Sequence, residues 1–425
     1  MNHTVPSAMA SVKSAERDTR WHANPSEELR NTSSKTSAEL LSAYTSAGNR
    51  LRVLRDGTQT LPVMFHAIRT ARRYIHLEYY VIEDVHFEGE SLFELLTAKC
   101  KDGVQVAIIF DAVGSSSTPP HFFTGLRSHG ANLLSFNPVN PLKLRSPYSL
   151  NRRDHRKILI ADGVIAIIGG INMSRTYESN PAQSPITEPE RLRTRRRRWR
   201  DTDLQVKGPA VAHLQRLFLK NWCSHGGTAL EERGFYPPLA QEGHERVAII
   251  GSSPKSGALH FYEVLLTLVR TAQHRVWITA GYFLPTPALM LQLAHAARRG
   301  VDVKLLLPSH NDSVAALAVQ RSTYAKLLNA GVEILERNSV ILHSKSAVFD
   351  RSWSCVGTSN IDARSVRFND EIDAIISGTK TTERLAQLFL DDSSKARVVK
   401  PVAWQSRPIH QKAREVFWRC WQWLL

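Results

Sequence analysis

Two stretches of this chain pair a histidine with a lysine at one spacing. The first is His155-Arg156-Lys157 leading to Asp162; the second is His343-Ser344-Lys345 leading to Asp350. Each reads H-x-K-x-x-x-x-D, and each is followed by a G-x-x-N, Gly169 to Asn172 and Gly357 to Asn360. Such a pair is poorly suited to a metal, because an ammonium repels the cation and has no lone pair to donate. It suits a phosphate: the lysine neutralises an oxyanion while the imidazole attacks phosphorus or moves a proton. In an alternating apolar run, residues two apart share one face of a strand, so His and Lys project together while Ile158, Ile160 and Val348 read as core. The Asp falls past the strand end, where a returning turn would bring it to a histidine ring to fix the tautomer. Histidines that merely cap strands would leave the repetition unexplained.

The elements that must position these groups are also written twice. Arg69-Thr70-Ala71 recurs as Arg270-Thr271-Ala272, each before a strand (Ile75–Tyr80, then Val276–Tyr282), and Lys101-Asp102-Gly103-Val104 recurs as Arg298-Arg299-Gly300-Val301. Equivalent residues lie 201 apart at Arg69 and Arg270 but 188 apart at His155 and His343, so the first copy carries 13 more residues. Strands alternating with helical patterns in each copy predict an α/β fold, with two pseudo-twofold-related half-domains sharing a central cleft. Each half-domain is expected to be a mixed sheet flanked by helices. The expected divisions are a flexible leader over 1–48, a first half-domain over 49–240, a second over 241–400 and an aromatic, basic tail over 401–425. The fold is expected to start at Arg52-Val53-Leu54, with a turn at Asp56-Gly57 and a helix opened by Pro62. A Pro-rich connection (Pro138, Pro141, Pro147) leads to the first His-Lys stretch.

The 425 residues carry a formal charge of +16, which implies an anionic partner: nucleic acid, an acidic membrane surface or a phosphate-bearing substrate. Seven of the ten residues from Arg191 to Arg200 are arginine, within a loop expected over 183–200. The reading of that run is a solvated loop in conformation and a polyanion contact in function. The tail mixes Lys412, Arg414 and Arg419 with Phe417, Trp418, Trp421 and Trp423, a composition that suits either a helix in a bilayer interface or packing on the body of the protein. The four cysteines are scattered, which indicates neither a disulfide framework nor a zinc site. There is no signal-peptide pattern and no apolar run of ~18 residues, so membrane contact is expected to be peripheral.

The doubled H-x-K-x-x-x-x-D with its G-x-x-N resembles the phospholipase D superfamily over residues 50–400. Gly281-Tyr282-Phe283-Leu284-Pro285 and Gly357-Thr358-Ser359-Asn360-Ile361-Asp362 look like elements of the shorter bacterial cardiolipin synthases. The resemblance implies catalytic His155, Lys157, Asp162, His343, Lys345 and Asp350, with Asn172 and Asn360 on the phosphate and the acidic residues Asp201 and Glu371 orienting the histidines across the cleft. It implies a phosphohistidine intermediate, with His155 favoured as nucleophile and His343 as acid and base, and no metal or cofactor, because the lysines supply the positive charge. It further implies phosphatidylglycerol as substrate, cardiolipin and glycerol as products, and a peripheral location on the cytoplasmic face of a bacterial inner membrane. A hydrolytic phospholipase D, a nuclease of the same fold and a polyanion-binding scaffold are the alternatives, nucleic acid being the less favoured partner. Tyr79, Tyr80, Tyr282 and Phe283 are compatible with lining the cleft or packing behind it.

Overall fold

A computed structural model describes residues 45–138, 151–178, 199–254 and 260–420. The expected leader up to residue 44, most of the Pro-rich connection, nearly all of the Arg-rich loop and the last five residues of the tail lie outside them.

The chain forms strands β1 (Thr45–Arg55), β2 (Tyr74–Tyr79), β3 (His86–Phe87), β4 (Glu90–Ser91), β5 (Gln105–Asp111), β6 (Asn132–Phe136), β7 (Arg153–Asp154), β8 (Lys157–Ala161), β9 (Ile165–Gly169), β10 (Trp199–Arg200) and β11 (Thr202–Lys207). Helices α1 (Asp56–Thr70), α2 (Leu92–Lys101), α3 (Pro120–Ser128) and α4 (Ala210–Ser224) are interspersed. The chain continues with β12 (Glu245–Ser252), α5 (His260–Thr271), β13 (Arg275–Ala280), α6 (Pro287–Arg298), β14 (Asp302–Pro308), α7 (Val314–Asn329), β15 (Glu333–Arg337), β16 (Ile341–Leu342) and β17 (Lys345–Phe349). It ends with β18 (Trp353–Gly357), α8 (Ala363–Arg367), β19 (Asn369–Ser377), α9 (Thr379–Ser393), β20 (Ala396–Val398), α10 (Pro401–Gln405) and α11 (Ile409–Cys420).

One mixed sheet runs β6-β5-β2-β8-β9-β11-β1-β12-β19-β18-β17-β13-β14-β15-β20. Outward from the antiparallel β1–β12 seam, the two directions use strands in the same relative chain order, and each contains a parallel trio (β2-β5-β6 and β13-β14-β15), the second bordered by antiparallel β20. Strands at the centre are covered on both faces, which is why β8 and β9 read as unbroken apolar runs. On β8, Ile158 and Ile160 face a core that α4 and α9 share, whereas Leu159 and Ala161 face the cluster under α1, α2 and α3. Ala347 and Phe349 of β17 face a third cluster, under α5, α6 and α7. No helix among the described residues is long and apolar enough to cross a membrane.

Two expectations near the start are corrected. β1 already runs from Thr45, paired with β12, rather than opening at Arg52. Asp56-Gly57 does not make a free-standing turn: α1 begins at Asp56, which adopts φ +58°, and Pro62 lies inside that helix. The earlier start is held by polar contacts. The Gln59 side chain accepts from Arg55 N–H (3.0 Å), and the Asp56 carboxylate accepts from Asp201 N–H (2.9 Å) while pairing with buried Arg200.

Candidate active site

The two histidines sit just ahead of β8 and β17, and each is anchored by backbone from the other copy of the repeat. β7 lies parallel to the start of β19, so His155 N–H donates to Asp370 O (2.9 Å). β16 lies parallel to β10, so His343 N–H donates to Arg200 O (2.9 Å). The residue following each acceptor is the carboxylate that takes the ring. His155 Nδ1 stands 2.9 and 3.1 Å from the two oxygens of Glu371, and His343 Nδ1 stands 2.7 Å from Asp201 Oδ2. A carboxylate only accepts, so Nδ1 carries the proton in both rings and each Nε2 is the basic or nucleophilic atom. Asp201 and Glu371 thus each lie against the histidine of the other copy.

Lys157 and Lys345 are both buried, Lys157 to 1% exposure and Lys345 to 5%. Lys157 Nζ donates to His155 O (2.7 Å), and Lys345 Nζ donates to His343 O (2.5 Å) while standing 2.8 Å from His343 Nε2. Burial, followed by repulsion from Lys345, lowers the Lys157 pKa to about 7; burial lowers Lys345 to about 8. Burial also lowers both imidazoles. For His343 the neighbouring Lys345 adds to it and the value falls to about 4, while for His155 the Glu371 charge opposes the shift. Asp201 is fully buried, which by itself raises its pKa, yet His343 and Lys345 hold it at about 2. Glu371 is likewise held below the usual carboxylate range, despite burial, by His155. The site is therefore two neutral imidazoles, two ionised carboxylates and two lysines destabilised by being inside the protein. A bound anion relieves that stress.

The aspartates that complete the motif do something else, and the expected approach to a histidine ring is corrected here. β8 and β17 extend between Lys and Asp at ~3.3 Å per residue, which carries the carboxylates to the far end of the strands. There Asp162, at φ +53°, accepts from the N–H groups of Arg72, Arg73 and Tyr74, and Asp350, at φ +51°, accepts from those of Gln273, His274 and Arg275. Each closes the helix-to-strand junction ahead of β2 or β13.

The G-x-x-N turn is also structural in part. A Cβ on Gly169 or Gly357 would lie 2.3 or 1.9 Å from Oδ1 of Asp203 or Asp373, respectively. Those buried aspartates tether the turn: Asp203 accepts from Ile171 N–H (3.0 Å), and Asp373 from the Ser359 hydroxyl (2.5 Å). Burial pushes Asp373 up to about 8. Asn172 Oδ1 accepts from Val81 N–H (3.2 Å), whereas Asn360 Oδ1 is buried without a partner among the described residues.

The aromatic residues divide. The Tyr80 ring stands edge-on to His155 (centroids 5.3 Å apart) and the Tyr282 ring to His343 (6.3 Å), so both wall the site. Tyr79 and Phe283 are fully buried in the cores behind. Gly281 makes room for this, since a Cβ there would meet His343 Cα at 2.8 Å. Several neighbours escape a reading by motif. Tyr177 donates its hydroxyl proton to Asp201 (3.0 Å), while Thr358 (2.5 Å) and Asn369 (3.1 Å) donate to Glu371. Asp203 and Asp373 carried a usable signal, each two residues after its orienting acid; Tyr177 lies outside both motifs and carried none.

A family model described as "Cardiolipin synthase, PLD-like domain" matches residues 64–181 and 265–393, more than half of the chain. The chain belongs to this phospholipase D-like cardiolipin synthase family. It is 33% identical over 370 residues to the cardiolipin synthase of Geobacillus sp. (strain WCH70), spanning 86% of this chain and 70% of that protein. It is 31% identical over 372 residues to that of Alkalihalophilus pseudofirmus, spanning 87% and 71%. The phosphatidylserine synthase of Haemophilus influenzae Rd KW20 shares the fold, with a TM-score of 0.62 at 13% identity over 88% of this chain and 95% of that one. As a member of the cardiolipin synthase family the protein is a transferase of the phospholipase D type. Both His-Lys pairs, both asparagines and Glu371 fall inside the matched segments; Asp201 lies between them.

Proposed function

We propose that this protein moves a phosphatidyl group from one phosphatidylglycerol to the terminal hydroxyl of another, releasing glycerol and forming cardiolipin at a membrane surface. The observation that carries the reading is the crossed pairing: each histidine is oriented by a carboxylate of the other repeat, with two buried lysines beside them. Residues 49–240 and 241–400 act as two half-domains about a pseudo-twofold axis between the histidines. The repeated strand order supports this division, with β1 extending the first half-domain back to Thr45.

The phosphodiester lies between the rings with its non-bridging oxygens on Lys157, Lys345, Asn172 and Asn360. His155 Nε2 attacks phosphorus, the P–O bond to the glycerol headgroup breaks, and the departing alkoxide takes a proton from protonated His343. The resulting imidazole then removes the proton from the hydroxyl of a second phosphatidylglycerol. That oxygen attacks phosphorus, the P–N bond breaks, and cardiolipin leaves. His155 is the nucleophile because none of the hydrogen bonds among the described residues engages its Nε2, whereas Lys345 crowds that of His343. The crowding also makes the His343 imidazolium a stronger acid. The phosphate charge offsets the lysines and supports protonation of the ring during turnover. Asp162 and Asp350 serve by holding the scaffold.

The test is turnover of phosphatidylglycerol in mixed micelles with the products resolved. Cardiolipin with glycerol, abolished in His155→Ala and His343→Ala, is expected. Phosphatidic acid alone would replace transfer by hydrolysis, and cleavage of DNA without lipid turnover would overturn the lipid assignment.

A further inference from the structure

Helix α11 is packed inside out. A surface helix ordinarily turns its apolar stripe inward. Here Glu415 is buried and ion-paired with Arg407 (2.9 Å), and Gln411 and Trp418 accompany it on the inward face. Ile409, Ala413, Val416, Phe417 and Cys420 recur at i, i+4, i+7, i+8 and i+11 and are exposed, Ile409 to 84%, Val416 to 63% and Phe417 to 56%. Val402 of the preceding helix α10 is likewise exposed, to 81%. Basic residues border the stripe: Lys412, Arg414 and Arg419 are all exposed. Beside it, α10, α11 and α7 enclose a cleft of about 380 Å³ to which Arg407, Lys412, Arg419 and Val416 all contribute. In that cleft Nε and Nη1 of Arg407 are buried without a hydrogen-bond acceptor among the described residues.

The helix is also tied to the catalytic wall. Trp418 packs on a small cluster of Leu284, Ala316 and Val319, and Tyr282 packs on the same cluster. Tyr282 is the ring that stands edge-on to His343. The exposed stripe and the active-site wall are thus two sides of one short packing chain.

We propose that α11 is the membrane-docking element: its apolar stripe enters the interface of a bilayer carrying anionic phospholipid, and its packing through Trp418 sets the catalytic wall at that surface. The assignment rests on the phosphatidyltransferase reading for its purpose, not for its geometry. Charge selects the occupant. A chain of net charge +16 with basic residues along an exposed apolar stripe matches an anionic bilayer, where lysine and arginine lie at the headgroups and valine and phenylalanine enter the acyl boundary.

The test is flotation of the full-length protein with equimolar phosphatidylglycerol–phosphatidylcholine vesicles, run beside turnover of dispersed short-chain phosphatidylglycerol. The Val416→Ser/Phe417→Ser double variant keeps the charge and removes the stripe. It is expected to bind vesicles on the order of tenfold or more weakly and to turn over the dispersed substrate as wild type. Val416→Leu/Phe417→Leu is expected to restore binding, and Leu291→Ser, on exposed α6, to leave it unchanged. The assignment is overturned if the serine variant floats as wild type, if it instead splits a wild-type dimer without losing vesicles, or if the wild type binds duplex DNA and ignores vesicles. Vesicle binding that depends on the stripe, without turnover of the dispersed substrate, would uphold docking and sink the transferase reading.

Discussion

The two copies of the motif share a plan and differ around the orienting carboxylate. On the first-copy side, Asp201 lies so close over Gly170 that a Cβ there would be 2.0 Å from its Oδ1, and Tyr177 supplies a hydroxyl. On the second-copy side, the place of Gly170 is taken by Thr358, whose hydroxyl reaches the longer Glu371, with Asn369 on the other oxygen. The lysines differ too: Lys345 presses on its imidazole, while Lys157 donates to the His155 carbonyl and lies over the Tyr80 ring. Duplication supplied two ends that each carry a histidine, a buried lysine and an asparagine. In the proposed mechanism, the divergence between them separates a nucleophile with an open Nε2 from a crowded, more acidic partner.

The largest effects follow from removing the rings. His155→Ala and His343→Ala should each lower phosphatidyl transfer by roughly 10³-fold or more. A substrate with a p-nitrophenolate leaving group needs no acid, so His343→Ala should keep a burst of p-nitrophenol that His155→Ala lacks. Equal loss of the burst in both variants would break the assigned asymmetry.

Next come the carboxylates and the space around them. Glu371→Gln and Asp201→Asn should each cost roughly 10²-fold or more in kcat, because an amide no longer holds the Nδ1–H tautomer. Gly170→Ala should mimic Asp201→Asn, since the methyl displaces that carboxylate, whereas Thr358→Ala should cost far less. Comparable losses at Gly170 and Thr358 would show that the two carboxylates are held alike.

Acid sensitivity sharpens the contrast. His343 titrates at about 4 in the fold and near ~6.5 unfolded, so the folded ring binds fewer protons between those values. Stability should therefore fall as pH drops from ~6.5 towards about 4. Asp201, at about 2 against ~3.9 unfolded, holds its contribution above ~3.9 and loses it as pH falls through about 2. His343→Gln should flatten Tm against pH in the upper window and, because His343 also helps to hold Asp201 low, weaken the lower one.

The smallest catalytic effects are expected at the motif aspartates. Asp162→Ala and Asp350→Ala should destabilise by about 1–3 kcal/mol through lost backbone hydrogen bonds. In chemical denaturation that loss should come with kcat within about tenfold of wild type, provided the site geometry is kept.

Those aspartates mark the limit of what the chain reveals unaided. Repetition and spacing pointed to the histidines, lysines and asparagines, because strand periodicity maps spacing directly onto a face, whereas Asp201 and Glu371 came only from the family resemblance. The partners of Asp162 were not legible, because they depend on which backbone N–H groups meet the strand end. Pro62 misled for a related reason: side chains of Gln59 and Asp56 stabilise a start earlier than propensity suggests. Tyr177 reaches Asp201 only through the folded path of its 3₁₀ turn. The inverted packing of α11 was hidden because composition shows which residues a helix carries, not which side it buries.

The most direct test of the account is to trap the covalent intermediate. Enzyme turning over phosphatidylglycerol is quenched in alkaline denaturant, digested, and its modified peptide mapped by mass spectrometry. The phosphatidyl group should be found on His155; its presence on His343 would contradict the asymmetry on which the mechanism rests.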